Sequence, residues 1–118
     1  MDKETYRIAV ASSDGIVVNS HFGRAGTFYI YKVEQQSIQF VEIRKVQPVC
    51  DGGNHEDGKL IETIEKLSDC KYLLVSRIGN AAATIAKSHG IDAYEIPDEI
   101  TKAIEQLIKY IAIEKLFE

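Results

Sequence analysis

The stretch YLLVSRIGNAAATIAKSHGIDAYEI, residues 72–96, decides the fold. It contains an apolar run with the length of a buried strand, then a helical segment closed by a glycine, then a second short strand. The predicted bounds are 72–76 for the first strand, 81–88 for the helix and 91–96 for the second strand. A strand, a helix and a strand in this order predict parallel pairing with a right-handed crossover.

Two more helices are predicted, one on each side of this unit. Upstream, apolar residues recur at helical spacing over 60–67. Downstream, the same spacing predicts a helix over 99–115, and Asp98 is placed to cap its first turn. The second half of the chain therefore alternates strands with helices, which is typical of a parallel sheet covered by helices.

The first half of the chain is predicted to consist of strands. An apolar run over 6–12 has the character of a buried strand. Two further strands, 27–33 and 37–46, are joined by a short polar connection and form an antiparallel hairpin that Pro48 ends. Together these elements predict an α/β fold with a five-stranded mixed sheet and three helices, in one domain over 1–118.

Composition narrows the function classes. The chain has 118 residues, of which 45% are hydrophobic and 27% charged, as in a soluble globular protein. Its net charge of −4 argues against general binding to nucleic acid, which favours basic surfaces. With no membrane span or signal peptide evident in the pattern, the expected location is the cytoplasm, away from membranes.

Special chemistry is expected from the three His and two Cys residues. Two irregular glycine-containing segments, 19–26 and 49–58, carry three of these five side chains: His21, Cys50 and His55. Imidazole and thiolate bind iron, copper and zinc, and thiolate also holds iron–sulfur clusters. No zinc motif is present, so scattered soft ligands in open, glycine-rich surroundings favour capture of a preassembled metal cofactor.

Simpler interpretations stand beside these. His89 lies at a helix end and Cys70 lies between a helix and a strand, so both are interpreted as structural. His21 is as readily a solvated loop residue as a ligand, and Cys50 can be a small buried hydrophobe. An enzyme acting on a small anion at Gly79-Asn80 has the least support, since every helix begins with free N–H groups.

Five segments of the chain resemble a known family, the nitrogenase iron–molybdenum cofactor biosynthesis domains, which include NifX, NafY and the C-terminal domain of NifB. The likeness is carried by IAVASSDG at 8–15 and VNSHFGRA at 18–25, by CDGGNH at 50–55, and by LLVSRIG at 73–79 and GIDAY at 90–94. It extends over nearly the whole chain. Of these segments, His-Phe-Gly-Arg-Ala is the most specific.

The resemblance implies a ribonuclease H-like fold whose second strand is antiparallel. It also implies a non-enzymatic protein of nitrogen fixation that binds iron–molybdenum cofactor or an iron–sulfur precursor and carries it between assembly or acceptor proteins. The family's cofactor-binding His corresponds to His21. The expected cofactor site comprises His21, Phe22, Gly23, Arg24, Cys50, Gly52, Gly53 and His55.

Within that site the expected metal ligands are His21, Cys50 and His55, with Arg24, aided by Arg77, as a counter-charge for an anionic cluster. The Cys-x-x-x-Cys-x-x-Cys motif of the cluster-building part of NifB is absent from this sequence. Nuclease activity is not expected either, because the first strand lacks the converging carboxylates that a two-metal nuclease needs. The alternative is a metal-free regulatory module that docks a protein partner through the same loops or the sheet edge left by the hairpin.

Overall fold

A computed structural model describes residues 5–48, 50–51, 54–55 and 57–117 of the chain. The strands are β1 (Thr5–Ala11), β2 (Thr27–Glu34), β3 (Ser37–Lys45), β4 (Cys50–Asp51), β5 (Asn54–His55), β6 (Tyr72–Val75) and β7 (Asp92–Glu95). The helices are α1 (Asp57–Lys66), α2 (Asn80–Ser88) and α3 (Ile100–Leu116). None of the helices in this described part is both long and apolar enough to span a bilayer.

The five longer strands form one mixed sheet in the order β3-β2-β1-β6-β7. β2 runs antiparallel to both of its neighbours, whereas β1, β6 and β7 are mutually parallel. The predicted five-stranded mixed sheet with three helices is therefore confirmed. β3 ends at Lys45, three residues before Pro48, so the proline does not itself end the ladder.

Helices cover both faces of the sheet because β1 and β6 are apolar on both sides. On one face, Ile64 of α1 and Leu67, which directly follows that helix, pack with Phe28 of β2, in a core that also includes Ala86 of α2. On the other face, α3 packs its apolar stripe against β1 and β6, with Leu107 fully buried. The two layers hold β1 and β6 rigidly at the centre of the molecule.

Two glycines occupy left-handed backbone conformations that the turns require. Gly15, after β1, has a φ of +76°, and a Cβ there would lie 2.8 Å from Cε2 of Tyr29. Gly90 has a φ of +83° and follows His89 at the end of α2, which confirms the predicted glycine cap. Each turn sends the chain back towards the sheet within a few residues.

The predicted cap of α3 by Asp98 is wrong. The residue that caps the helix is Glu99, and no side chain bonds to its first-turn N–H groups. The Asp98 carboxylate instead accepts the Glu99 N–H at 2.7 Å and the Gln106 side-chain amide at 2.9 Å. Asp98 therefore lies one residue before the N-cap position. It contacts α3 through its hydrogen bond with the side chain of Gln106 instead.

An ionic cluster around Asp69 ties three elements together. Its carboxylate accepts two hydrogen bonds of 2.7 Å from the Arg44 guanidinium of β3 and one of 3.0 Å from Arg7 of β1. Arg44 also donates to the backbone carbonyl of Lys66, at the end of α1. This bidentate pairing holds the pKa of Asp69 well below its usual range.

Asp69→Asn is expected to lower the free energy of unfolding by about 1–2 kcal/mol at pH 7, a modest value because solvent screens a half-exposed pair. Since the folded-state pKa is depressed, this contribution is fully present above the unfolded pKa of about 3.9, declines below it, and is lost only as pH falls through the folded-state pKa. Urea unfolding of both proteins at pH 7 and at about pH 2 measures the decline, and the loss caused by the substitution should be clearly smaller at the lower pH. Asp92→Asn, whose pair with Lys87 is 4.0 Å long, is the control. An equal loss at both pH values would contradict the prediction.

Candidate functional site

His21 lies where the carboxyl ends of β1 and β6 meet. The segment containing it runs alongside the end of β6, and His21 forms a parallel bridge with Arg77. Two backbone bonds fix this pairing: Ser76 N–H donates to the Ser20 carbonyl at 3.0 Å, and Phe22 N–H donates to the Arg77 carbonyl at 2.9 Å. The exposed imidazole therefore stands on a fixed backbone, at the end of the sheet where ligands bind in open α/β folds.

Phe22 anchors this segment to the core. Its side chain is 1% exposed and packs against Phe28 of β2, with the ring centroids 6.1 Å apart. Residues Phe22–Arg24 form a single 3-10 turn, closed by a 3.0 Å bond from Arg24 N–H to the His21 carbonyl. Phe22 was predicted to contact a cofactor, but it offers almost no surface to one, so its role is to position His21 and Arg24.

The surroundings of His21 carry positive charge despite the acidic composition. Arg24 and Arg77 are both exposed. Helix α2 begins three residues after Arg77, and its N-cap, Gly79, provides no side-chain acceptor. Its first turn contains no acidic residue, although the Glu95 carboxylate accepts the Ile78 N–H at 2.8 Å just before the N-cap. Two exposed guanidinium groups and a helix N-terminus, offset in part by Glu95, can attract an anionic ligand.

One polar group here was not singled out from the sequence. The Ser76 hydroxyl, at the end of β6, is buried and makes no hydrogen bond within the described part of the chain. The sequence does contain a signal for this group. Ser76 directly follows the apolar run 72–75, which is where a buried strand reaches the ligand-binding end of a sheet. The sequence also does not predict that Arg77 pairs with the backbone of His21, because Arg77 is expected only as a counter-charge.

The second glycine-rich segment approaches the first. The backbone of β4 lies next to the 3-10 turn, with Cα atoms within 8 Å, and Cys50 pairs with His55 in the β4–β5 ladder. Only the backbones of Cys50 and His55 are described, and Gly52 and Gly53 lie outside the described residues. The described side chains include no cluster of three or more potential metal ligands.

Cys70 and His89, which the sequence indicates to be structural, both make contacts that fit a structural role. Cys70 is 2% exposed in the core, and burial raises the pKa of its thiol to about 12, so it stays protonated at neutral pH and is a poor metal ligand. His89 lies at the end of α2, where its Nδ1 atom is 3.0 Å from the Ile85 carbonyl. Among the His and Cys side chains that the structure describes, His21 is therefore the one that can form part of a ligand site.

Comparison with known proteins identifies one family that matches this chain and relatives that share its sequence. The family described as dinitrogenase iron-molybdenum cofactor matches residues 4–110. The FeMo cofactor biosynthesis protein NifB of Frankia alni is 39% identical over 107 residues, which cover 88% of this chain and 21% of that protein. This chain thus spans about a fifth of the length of that relative.

Two solved structures share the fold. The crystal structure of PH0822 superposes with a TM-score of 0.66 at 26% identity, covering 87% of this chain and 90% of that one. The apo form of the orange protein from Desulfovibrio gigas superposes with a TM-score of 0.59 at 18% identity, covering 92% and 91%. At that lower identity the likeness concerns the fold alone.

Proposed function

Because the chain belongs to the dinitrogenase iron-molybdenum cofactor family, we propose that it is a non-enzymatic carrier of an iron–molybdenum cofactor or of an iron–sulfur precursor. In this proposal the cluster is cargo, taken from one assembly protein and handed to another. The NifB relatives are FeMo cofactor biosynthesis proteins by name, which supports a role in metallocluster assembly.

The observation that carries the proposal is the parallel bridge between His21 and Arg77. It places an exposed imidazole, which is a ligand for iron, beside an exposed guanidinium. Arg24 adds a second cation from the same 3-10 turn. A carrier needs a ligand, a counter-charge and an open face from which cargo can leave, and these three side chains supply them.

The groups around the bridge fit such a cargo. Sulfide-rich clusters are anionic and accept hydrogen bonds, which the first turn of α2 can donate. The buried Ser76 hydroxyl is one more polar group for which a bound ligand or water can complete the hydrogen bonding. The proximity of β4 to the 3-10 turn allows the backbone of Cys50 to approach the same place, and we propose Cys50 and His55 as auxiliary ligands.

Two finer assignments belong to the same proposal. We infer a ribonuclease H-like architecture, which the order β3-β2-β1-β6-β7 with an antiparallel β2 supports. We also propose a cytoplasmic location and a role in nitrogen fixation, with cluster assembly or acceptor proteins as partners. The family match is what supports these last assignments.

Anaerobic reconstitution tests the carrier role. The full chain is incubated with isolated iron–molybdenum cofactor or with ferrous iron and sulfide, desalted, and analysed for metal and by absorption spectroscopy. We expect cluster to be retained in proportion to protein, and retention to fall as salt rises, because exposed cations contribute. Absence of bound iron and molybdenum after desalting would overturn the proposal.

A second candidate, a metal-free interaction module, is favoured by the exposed edge of the sheet. β3 has no neighbour on its outer side among the described strands, and it exposes Phe40, Val41 and Ile43. Exposed apolar edge strands are templates for pairing with other chains. In the same experiment, this candidate predicts no metal uptake and unchanged spectra.

A further inference from the structure

A cavity of about 280 Å³ lies at the end of the sheet opposite His21. It is bounded by the start of β1, by the β2–β3 turn and by the last turns of α3. The lining residues that matter here are Tyr6, Val33, Gln35, Gln36, Ile108 and Ile111. Nothing in the carrier mechanism uses this cavity, because the cluster site is built where β1 and β6 end.

The turn at its mouth is strained in an informative way. Gln35 and Gln36 have φ angles of +51° and +71°, the left-handed conformation of a two-residue hairpin turn. Asn-Gly adopts that turn at lower cost, because asparagine and glycine tolerate the left-handed region better than glutamine does. Strain of this kind is typical of functional positions. Both glutamines line the cavity. We infer that their side-chain amides act there, and that this is why glutamines occupy a turn that strains them.

The two glutamine side chains are available to a ligand. Both residues are exposed, and neither amide makes a hydrogen bond within the described residues. The Tyr6 hydroxyl is a third donor, since a tyrosine is protonated at neutral pH and burial raises its pKa further. Three N–H and O–H donors at one mouth favour a carboxylate, which accepts hydrogen bonds through both of its oxygens.

The rest of the cavity is apolar. Val33 and Ile111 are buried, and Ile108 packs against the same core. At about 30 Å³ for each water-sized group, the volume holds roughly nine non-hydrogen groups. A straight aliphatic chain of about six carbons with one carboxylate fills that volume.

We propose that this cavity binds a short-chain aliphatic carboxylate. The chain lies on Val33, Ile108 and Ile111, and the carboxylate accepts hydrogen bonds from Gln35 and Gln36 at the mouth. The site is independent of the cluster site, so the failure of either proposal leaves the other standing.

Titration of the ¹⁵N-labelled protein with hexanoate to tens of millimolar tests the proposal. We expect amide shifts at the turn and at the end of α3, with a Kd of about 1 mM for so small a ligand. Hexanol, which has the same chain without the charge, should bind at least fivefold more weakly. Absence of shifts at the lining residues, or equal binding of hexanol, would overturn the proposal.

The double variant Gln35→Asn/Gln36→Gly separates the side chains from the turn. Because Asn-Gly relieves the strain, its Tm should rise by about 4 °C while hexanoate binding weakens at least fivefold. The variant Gln39→Asn/Gln47→Gly makes the same changes at exposed positions outside the cavity and should bind hexanoate normally. Tyr6→Phe, which keeps the ring and removes one donor, should also weaken binding. Unchanged binding in both Gln35→Asn/Gln36→Gly and Tyr6→Phe would refute the assignment.

Discussion

Phe22→Ala is expected to lower the free energy of unfolding by about 3–5 kcal/mol. The Phe22 ring is 1% exposed and fills the core between the His21 segment and β2, so its removal leaves a cavity that the rigid sheet cannot close. Most domains are stable by only about 5–15 kcal/mol, so this is a large fraction of the total. Urea unfolding followed by circular dichroism measures the loss.

Phe40→Ala is the matched control, because Phe40 is 54% exposed on the edge strand β3. We expect it to cost less than about 1 kcal/mol. Phe22→Leu, which keeps most of the apolar volume, should fall between the two. If Phe22→Ala proved as mild as Phe40→Ala, Phe22 would not be the anchor of the His21 segment.

The second large effect is expected from His21→Ala, which should weaken cluster retention by about 100-fold, or ~2.7 kcal/mol. The imidazole is the exposed candidate ligand next to Arg77, and no other described His or Cys side chain lies in that segment. Competition with a chelator under anaerobic conditions, followed by absorption, measures the change. Stability should be nearly unaffected, because the side chain is exposed.

His89→Ala is the control for this experiment. It removes the same side chain from the end of α2, outside the cluster site, and should leave retention unchanged. If both variants lost cluster equally, the loss would reflect nonspecific metal binding by imidazole. If neither lost cluster, His21 would not be a ligand, and the Cys50 and His55 segment would have to hold the cargo.

Much of the fold could be predicted because its strongest determinants are local. The apolar run that became β6 and the alternation that became β3 each reflect burial that a short window reveals. The glycine at position 90 marks the end of α2 because only glycine adopts its φ cheaply. Such signals need no knowledge of the partner element.

The features that were missed depend on partners or on strain. A hairpin turn of Gln35 and Gln36 carries no glycine or asparagine signal, so its left-handed conformation could not be predicted. Asp98 is a residue type that often caps helices, but the hydrogen bond between the Ile100 N–H and the Ile16 carbonyl sets where α3 begins. Strand pairing overrode local preference at the turn, and a tertiary hydrogen bond overrode it at the start of α3.

The candidate site shows the same division. His21 and Arg24 stand out in a loop that has no other purpose, so their chemistry is visible in the sequence. The bridge to Arg77 is not visible there, because backbone pairing across a long separation leaves no local pattern. The burial of Phe22 follows from the same docking, which is why a residue expected to touch cofactor became the anchor instead.

The bridge joins residues 56 positions apart (77 minus 21), one from each half of the chain. The first half contributes β1 to β3 and the second contributes β6, β7 and the three helices, and in the sheet the halves meet along the β1–β6 ladder. Contacts so distant in sequence carry a larger loop-closure entropy than the local hairpin, so we expect them to form after it. A partly folded chain then lacks the His21–Arg77 pair. In the proposed carrier, a cluster that binds only the joined state would resist separation of the two halves, so loading would depend on complete folding.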